Sequence, residues 1–437
     1  MVKKAAVPAG LLLLGWLLYS PHPGRELTIG TVNNADMILM QRLSRGFERE
    51  TGIRLNWVVL GESILRQRLT IDISTGGSTF DIITIGSYET PLWAARDWLV
   101  PLDDLGADYD YPDIFDVIRQ GLSYQGRLYA APFYGEGSFT YYRKDLFQRA
   151  GLAMPEQPTY EQIREFAARL HDPAHSLYGI CLRGEPGWGQ NAAYLSTLMH
   201  AFGGRWFDMH WQPQLTSPEW VAALSYYVDL LRASGPPGVT TDGHNETRAL
   251  FASGHCAMWI DSTAAAGHIL DRRQSLVAEV TGFARAPIAV TARGSSWIWS
   301  WALAIPKSSP KADTAKQFIR WATCRKYIAT VAERFGWVLA PPGTRLSTYE
   351  NPAYLKAAPF ARLVRDAILT ADMTRPSAQP VPYVGIQYAS IPEFQAIGTI
   401  VGQEISAALT GGATVRQALA SAQQETERIM RRGGYLK

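Results

Sequence analysis

The chain alternates two hydrophobic periods. Leu27–Val32 is short and apolar, and residues 35–51 set Met37, Leu39, Met40, Leu43 and Phe47 along one helical side. Leu55–Leu60 predicts a second strand, residues 62–74 a second helix stopped by Gly76-Gly77, and Phe80–Ile85 a strand apolar on both faces. Strand–helix–strand repetition predicts a doubly wound α/β lobe, in which ligands lie beyond the carboxyl ends of the strands. Those ends are Asn33-Asn34, Gly61-Glu62-Ser63 and Gly86-Ser87-Tyr88-Glu89.

The pattern then changes. Tyr124–Tyr129 predicts a hairpin about Gln125-Gly126, and Glu136 stands isolated between Gly135 and Gly137, where a bend would bring backbone close to a neighbour. A second lobe is expected from about Thr140, with helices near 144–150, 158–170, 190–202, 217–233 and 244–253 and a strand at Cys256–Asp261. Helical periods return at 311–323 and 396–432, with Pro341-Pro342-Gly343 and residues 376–382 as turns or linkers. In Ser295–Trp301, Trp297, Trp299 and Trp301 alternate, which places them on one face of a strand. The alternation alone leaves open whether that face packs into a core or meets a ligand; were the segment to enter a crossing between two lobes, Trp297 and Trp299 would lie near the cleft and Trp301 in the core.

At 437 residues the chain is too long for one ordinary core. A hydrophobic content of 47% with 19% charged residues describes a globular protein. The net charge of +3 falls to +1 without Lys3 and Lys4, which gives no basis for a nucleic-acid partner. Those lysines precede an apolar run from Ala5 to Tyr19, so residues 1–24 are expected to be a secretory signal or an N-terminal anchor. Cys181, Cys256 and Cys324 match no zinc or C-x-x-C spacing. A Cys181–Cys256 bridge and three reduced thiols both fit the spacing.

Nucleophile-elbow, zincin and phosphate-loop motifs are absent. Glu89, Glu136 and Asp261 are the candidates for a carboxylate pair, as in a glycoside hydrolase. Fourteen tryptophans favour polyol or sugar recognition instead, since C–H faces stack on indoles while hydroxyls need carboxylates and amides. Trp259 and Asp261 share a strand face, and Trp188 adjoins Gln190-Asn191 on a glycine-rich loop.

With these residues the chain resembles the periplasmic substrate-binding proteins of ABC importers. It is most similar to the carbohydrate-binding group and its sorbitol/mannitol-type polyol binders. Phe80–Gly86, Leu128–Glu136, Tyr141–Phe147, Gly187-Trp188-Gly189, Gly203–Phe207, Phe251–Trp259, Trp299–Pro306 and Ile391–Phe394 carry the resemblance. It implies an α/β fold of two lobes, each a sheet flanked by helices, with crossings near 132–138, 299–305 and 378–388. Lobe 1 would comprise residues 25–134 and 303–380, and lobe 2 residues 135–302 and 381–437. The resemblance implies a monomer with no cofactor that closes on its ligand and docks on a membrane permease. A disaccharide or glycoside is the alternative ligand. In such a cleft Trp259, Trp297 and Trp299 would pack against the carbon chain, and Glu89, Glu136 and Asp261 would bind hydroxyls. Asn34, Tyr88, Trp188, Asn191 and Arg345 would make lesser contacts.

Overall fold

The computed structural model describes residues 25–437. The expected signal or anchor at 1–24 lies outside the described residues. Among the described residues ten strands follow one another: β1 (Glu26–Val32), β2 (Arg54–Leu60), β3 (Ile82–Gly86), β4 (Ser123–Tyr124), β5 (Arg127–Leu128), β6 (Ala130–Glu136), β7 (Ser138–Arg143), β8 (Met258–Ser262), β9 (Thr281–Arg285) and β10 (Trp299–Ala304). They form a five-stranded sheet of order β2-β1-β3-β10-β6, a three-stranded sheet β8-β7-β9 and the short hairpin β4-β5. In the large sheet β1 pairs parallel with both β2 and β3, and β10 runs antiparallel between β3 and β6. The three-stranded sheet is antiparallel throughout.

Local chemistry sets the element ends. The helix Ala35–Thr51 begins where Asn34 Oδ1 accepts from the Met37 amide at 2.8 Å, and stops at Gly52 with φ 70°. Pro132 lies in the edge strand β6, next to the register shift against Trp301 and Ala302, where a missing amide does least harm.

The chain leaves the large sheet between β6 and β7, returns between β9 and β10, and crosses again before the helix Phe394–Thr410. Boundaries at 134/135 and 302/303 would cut β6 and β10, so the structure moves both outward to the strand ends. Helix Ala361–Thr370 packs against both β6 and β9, and so touches both sheets. The tail helices Phe394–Thr410 and Val415–Arg432 pack on Asn191–Ala201 and Pro218–Ser234, in the second lobe.

Cys181 and Cys256 form a disulfide, and Cys324 is free. The bridge sits beside the pairing of Cys181 with Trp259, and so ties the segment ahead of Arg183 to the strand carrying Asp261. Among the described residues no helix is long and apolar enough to cross a membrane. Replacing both bridged cysteines by serine is expected to lower unfolding stability by about 2–4 kcal/mol in chemical denaturation.

Candidate binding site

A cavity of about 330 Å³ lies between the five-stranded and the three-stranded sheet, lined from both. Its walls come from the strand ends at Asn33-Asn34 and Gly61–Ile64, from Tyr134 and Glu136 of β6, from the loops carrying Arg183 and Trp188, and from the start of the His244 helix. Trp297, Trp299, Trp301 and Gln387 complete it.

Two arginines organise the walls. Arg66 is buried on the inward side of its helix, three and seven positions before buried Leu69 and Ile73. Its guanidinium donates to Glu62 Oε1 at 2.9 and 3.1 Å and to Glu89 on the other side. Its Cζ lies 4.0 Å from the Trp188 ring, 4.7 Å from Trp301 and 5.1 Å from Trp299. Burial works against the charge, but Glu89 and Glu62 outweigh it and raise the Arg66 pKa. Arg183 donates twice to Asp261, at 2.6 and 2.8 Å, and once to the Gly189 carbonyl at 2.8 Å. His244 Nδ1 lies 2.8 Å from the same carboxylate. Asp261 is fully buried; Arg183 and His244 outweigh its desolvation and hold it well below the usual carboxylate range. Burial lowers the His244 pKa, so at neutral pH the imidazole is uncharged and donates to Asp261 through Nδ1.

Glu136 differs from its neighbours. It accepts from Trp297 Nε1 at 3.2 Å and from the Ser262 hydroxyl. Burial pushes its carboxyl up to about 8; Asp261 adds to the rise, while Ser262, Arg183 and Trp297 oppose it. At neutral pH the carboxyl is therefore largely protonated.

Of the residues expected at the site, Asn34, Glu136, Trp188, Trp297 and Trp299 stand on the cavity wall. Trp301, expected in the core, stands there too. The other six do not. Tyr88 lies behind Trp188, its hydroxyl donating to the Ile391 carbonyl at 3.0 Å. Glu89 holds Arg66 and accepts from the Gly86 amide at 3.0 Å. Asn191 is wholly buried and donates to Gly402 O at 2.9 Å, which pins the Trp188 loop to the tail helix. Trp259 stacks on Tyr141 at 4.5 Å in the second-lobe core, because that strand is covered on both faces. Asp261 sits behind Arg183. Arg345 lies in the first lobe, donating to the carbonyls of Tyr109, Asp110 and Thr323. Glu89, Glu136 and Asp261 therefore do not face one another as an acid–base pair. Expectation missed Arg66, Arg183, His244 and Gln387, while Glu62 lies at one of the strand ends where ligand was expected. Arg66 carried one signal, an arginine in register with the apolar side of its helix.

A cleft between two such sheets, joined by crossing segments and walled by indoles and fixed charges, defines a solute-binding protein of two lobes. Residues 34–327 match the model of the bacterial extracellular solute-binding proteins, and the chain belongs to that family. It is 55% identical over 435 residues to the mannitol-binding protein of Pseudomonas aeruginosa, with 99% of each chain aligned. The solute-binding protein of an ABC transporter from Agrobacterium vitis, solved with bound D-mannitol, superposes with a TM-score of 0.93 at 52% identity, over 94% of this chain and 100% of that one. A second solved relative, from Agrobacterium radiobacter and in complex with ribitol, gives 0.83 at 27% identity, over 93% and 99%. These relatives are binding proteins, so the chain is a binding protein and the hydrolase alternative is set aside.

Three outcomes are expected. Trp259→Ala lowers unfolding stability by about 3–5 kcal/mol, since it empties a core site. Arg345→Met costs about 3 kcal/mol in the same assay, since it removes the buried donor to the Tyr109 and Thr323 carbonyls, and does not alter ligand affinity in calorimetry. The third concerns pH. With its pKa raised from 4.5 to about 8, Glu136 binds a proton more tightly in the folded chain than in the unfolded one. Stability from this group is full below pH 4.5 and is lost as pH rises toward 8. Melting curves across that range should therefore show Glu136→Gln gaining on the parent as pH rises. A constant difference would mean that the carboxyl is already ionised at low pH.

Proposed function

We propose that the protein captures an acyclic sugar alcohol of the hexitol class, D-mannitol foremost, in the periplasm and delivers it as a monomer to an ABC permease. The observation that carries this reading is the make-up of the cleft. The cavity is lined by the indoles of Trp188, Trp299 and Trp301 together with Asn34, Tyr134, Glu136 and Glu62. Indole faces suit the C–H groups of a polyol chain, and the polar groups suit its hydroxyls. At about 330 Å³ the cavity is at the small end for a ligand site, which favours one short chain over an oligosaccharide. The two relatives that bear mannitol in their names or crystals support the same ligand.

Contacts from both lobes make the closed form the better binder, so ligand shifts the population toward closure. The closed shape is then what the permease would recognise. The family to which the chain belongs is extracellular, and the charged, apolar start of the sequence supports export.

A thermal-shift and calorimetry panel of D-mannitol, sorbitol, arabitol, ribitol and maltose tests this. D-mannitol at 100 times its Kd is expected to add about 2.7 kcal/mol of stability, and maltose none. Trp299→Leu is expected to weaken D-mannitol about tenfold or more while the variant still melts cooperatively. No shift with any alditol would overturn the reading.

A further inference from the structure

Gln387 lies on the third crossing segment and is almost wholly buried, yet it lines the cavity. Its Nε2 donates to the Ile298 carbonyl at 3.0 Å, on the second crossing. Its Oε1 has no hydrogen-bond partner. The amide cannot be turned over, because that would set Oε1 against the Ile298 carbonyl, oxygen to oxygen. The free acceptor is therefore fixed by the backbone that joins the lobes. A second cavity-lining residue, Trp188, leaves its Nε1 donor unpartnered. Buried polar atoms without partners cost free energy, and both of these belong to residues that line the cavity, so a hydroxylated ligand that reaches them would supply the missing partners.

We propose that Gln387 is a specificity-determining residue of the cleft, whose Oε1 accepts a hydrogen bond from one ligand hydroxyl. This rests on the polyol reading above. It also narrows the ligand. A hydroxyl at that carbon can donate, whereas a carbonyl, an ether oxygen or fluorine cannot, so the site disfavours a sugar whose carbonyl or ring oxygen falls at that carbon. Because Gln387 is anchored to Ile298, the ligand also touches two of the three lobe crossings through a single side chain.

The test is a cycle of variants and ligands. D-mannitol has a twofold axis, so a ligand lacking one hydroxyl can re-enter reversed. The probes are therefore the symmetric 1,6-, 2,5- and 3,4-dideoxy analogues. Affinities are measured by calorimetry for the parent protein, Gln387→Met and Gln387→Glu. The parent is expected to lose about tenfold or more for the probe pair that includes the bonded hydroxyl. Gln387→Met binds D-mannitol about tenfold more weakly, and loses no more than about threefold further on that same probe, while keeping its penalties on the other two. Gln387→Glu, in the protonated form that burial beside the Ile298 carbonyl imposes, donates to that carbonyl as the amide does, retains an acceptor and keeps the parent's order of the three probes, which gives a reading even where Gln387→Met folds poorly. Penalties that add within about threefold for all three probes, or a changed order in Gln387→Glu, overturn the assignment. Failure of the parent to bind D-mannitol tells against the polyol reading itself. Binding with additive penalties tells against Gln387 alone.

Discussion

The cleft depends on keeping one guanidinium charged out of water. Arg66 belongs to the first lobe, and an unpaired buried cation there would be prohibitive. Glu62 and Glu89 supply the counter-charge, and the faces of Trp188, Trp299 and Trp301 supply the remaining electrostatic attraction. The partners come from four parts of the chain: the same helix, the helix Glu89–Ala94 that follows β3, the second-lobe loop and the strand β10. Satisfying Arg66 therefore draws both lobes onto one point. The approach is close enough to dictate glycine around it. A Cβ at Gly86 would meet the Trp299 ring at 1.9 Å, and one at Gly189 would meet Glu62 at 1.9 Å.

Arg183 repeats the device from the other side. It is locked to Asp261, stands 5.1 Å above the Trp297 ring, and is shored up from behind by the Cys181–Cys256 bridge. In both halves the strongest charge pairing lies behind the wall, at Glu89 and Asp261. Rings, the two arginines and Glu62 line the cavity itself. Preorganisation of this kind leaves little side-chain freedom to be lost when a ligand arrives. Glu136, kept largely protonated between the two arginine systems, adds a polar group without adding a full negative charge.

Much of the fold was legible because its signals are local. Asn34 and Gly52 mark the ends of the first helix by their own chemistry, and the expected span 35–51 matches the observed one. The strand-end rule also pointed correctly to Asn33-Asn34 and Gly61-Glu62-Ser63 as cavity wall. It failed at Tyr88 and Glu89, which lie one layer deeper. The site residues that escaped notice are charged groups whose burial is decided by distant packing. Nothing near Arg66 in the chain announces three indoles arriving from residues 188, 299 and 301. The face assignment of Trp259 failed for the opposite reason. Alternation describes which residues share a face but not whether both faces are covered, and in β8 both are.

The position of β10 sets the order in which the molecule can form. That strand inserts between β3 and β6, an interior place in a sheet whose other members all come from the first third of the chain. Until Ala304 has been made, β3 and β6 have no partner between them and the sheet stays open. Pairings so distant in sequence form slowly, and a half-built sheet exposes apolar edges meanwhile. The large sheet therefore closes late, and the two tryptophans of that strand take their places on the cavity wall only when it does.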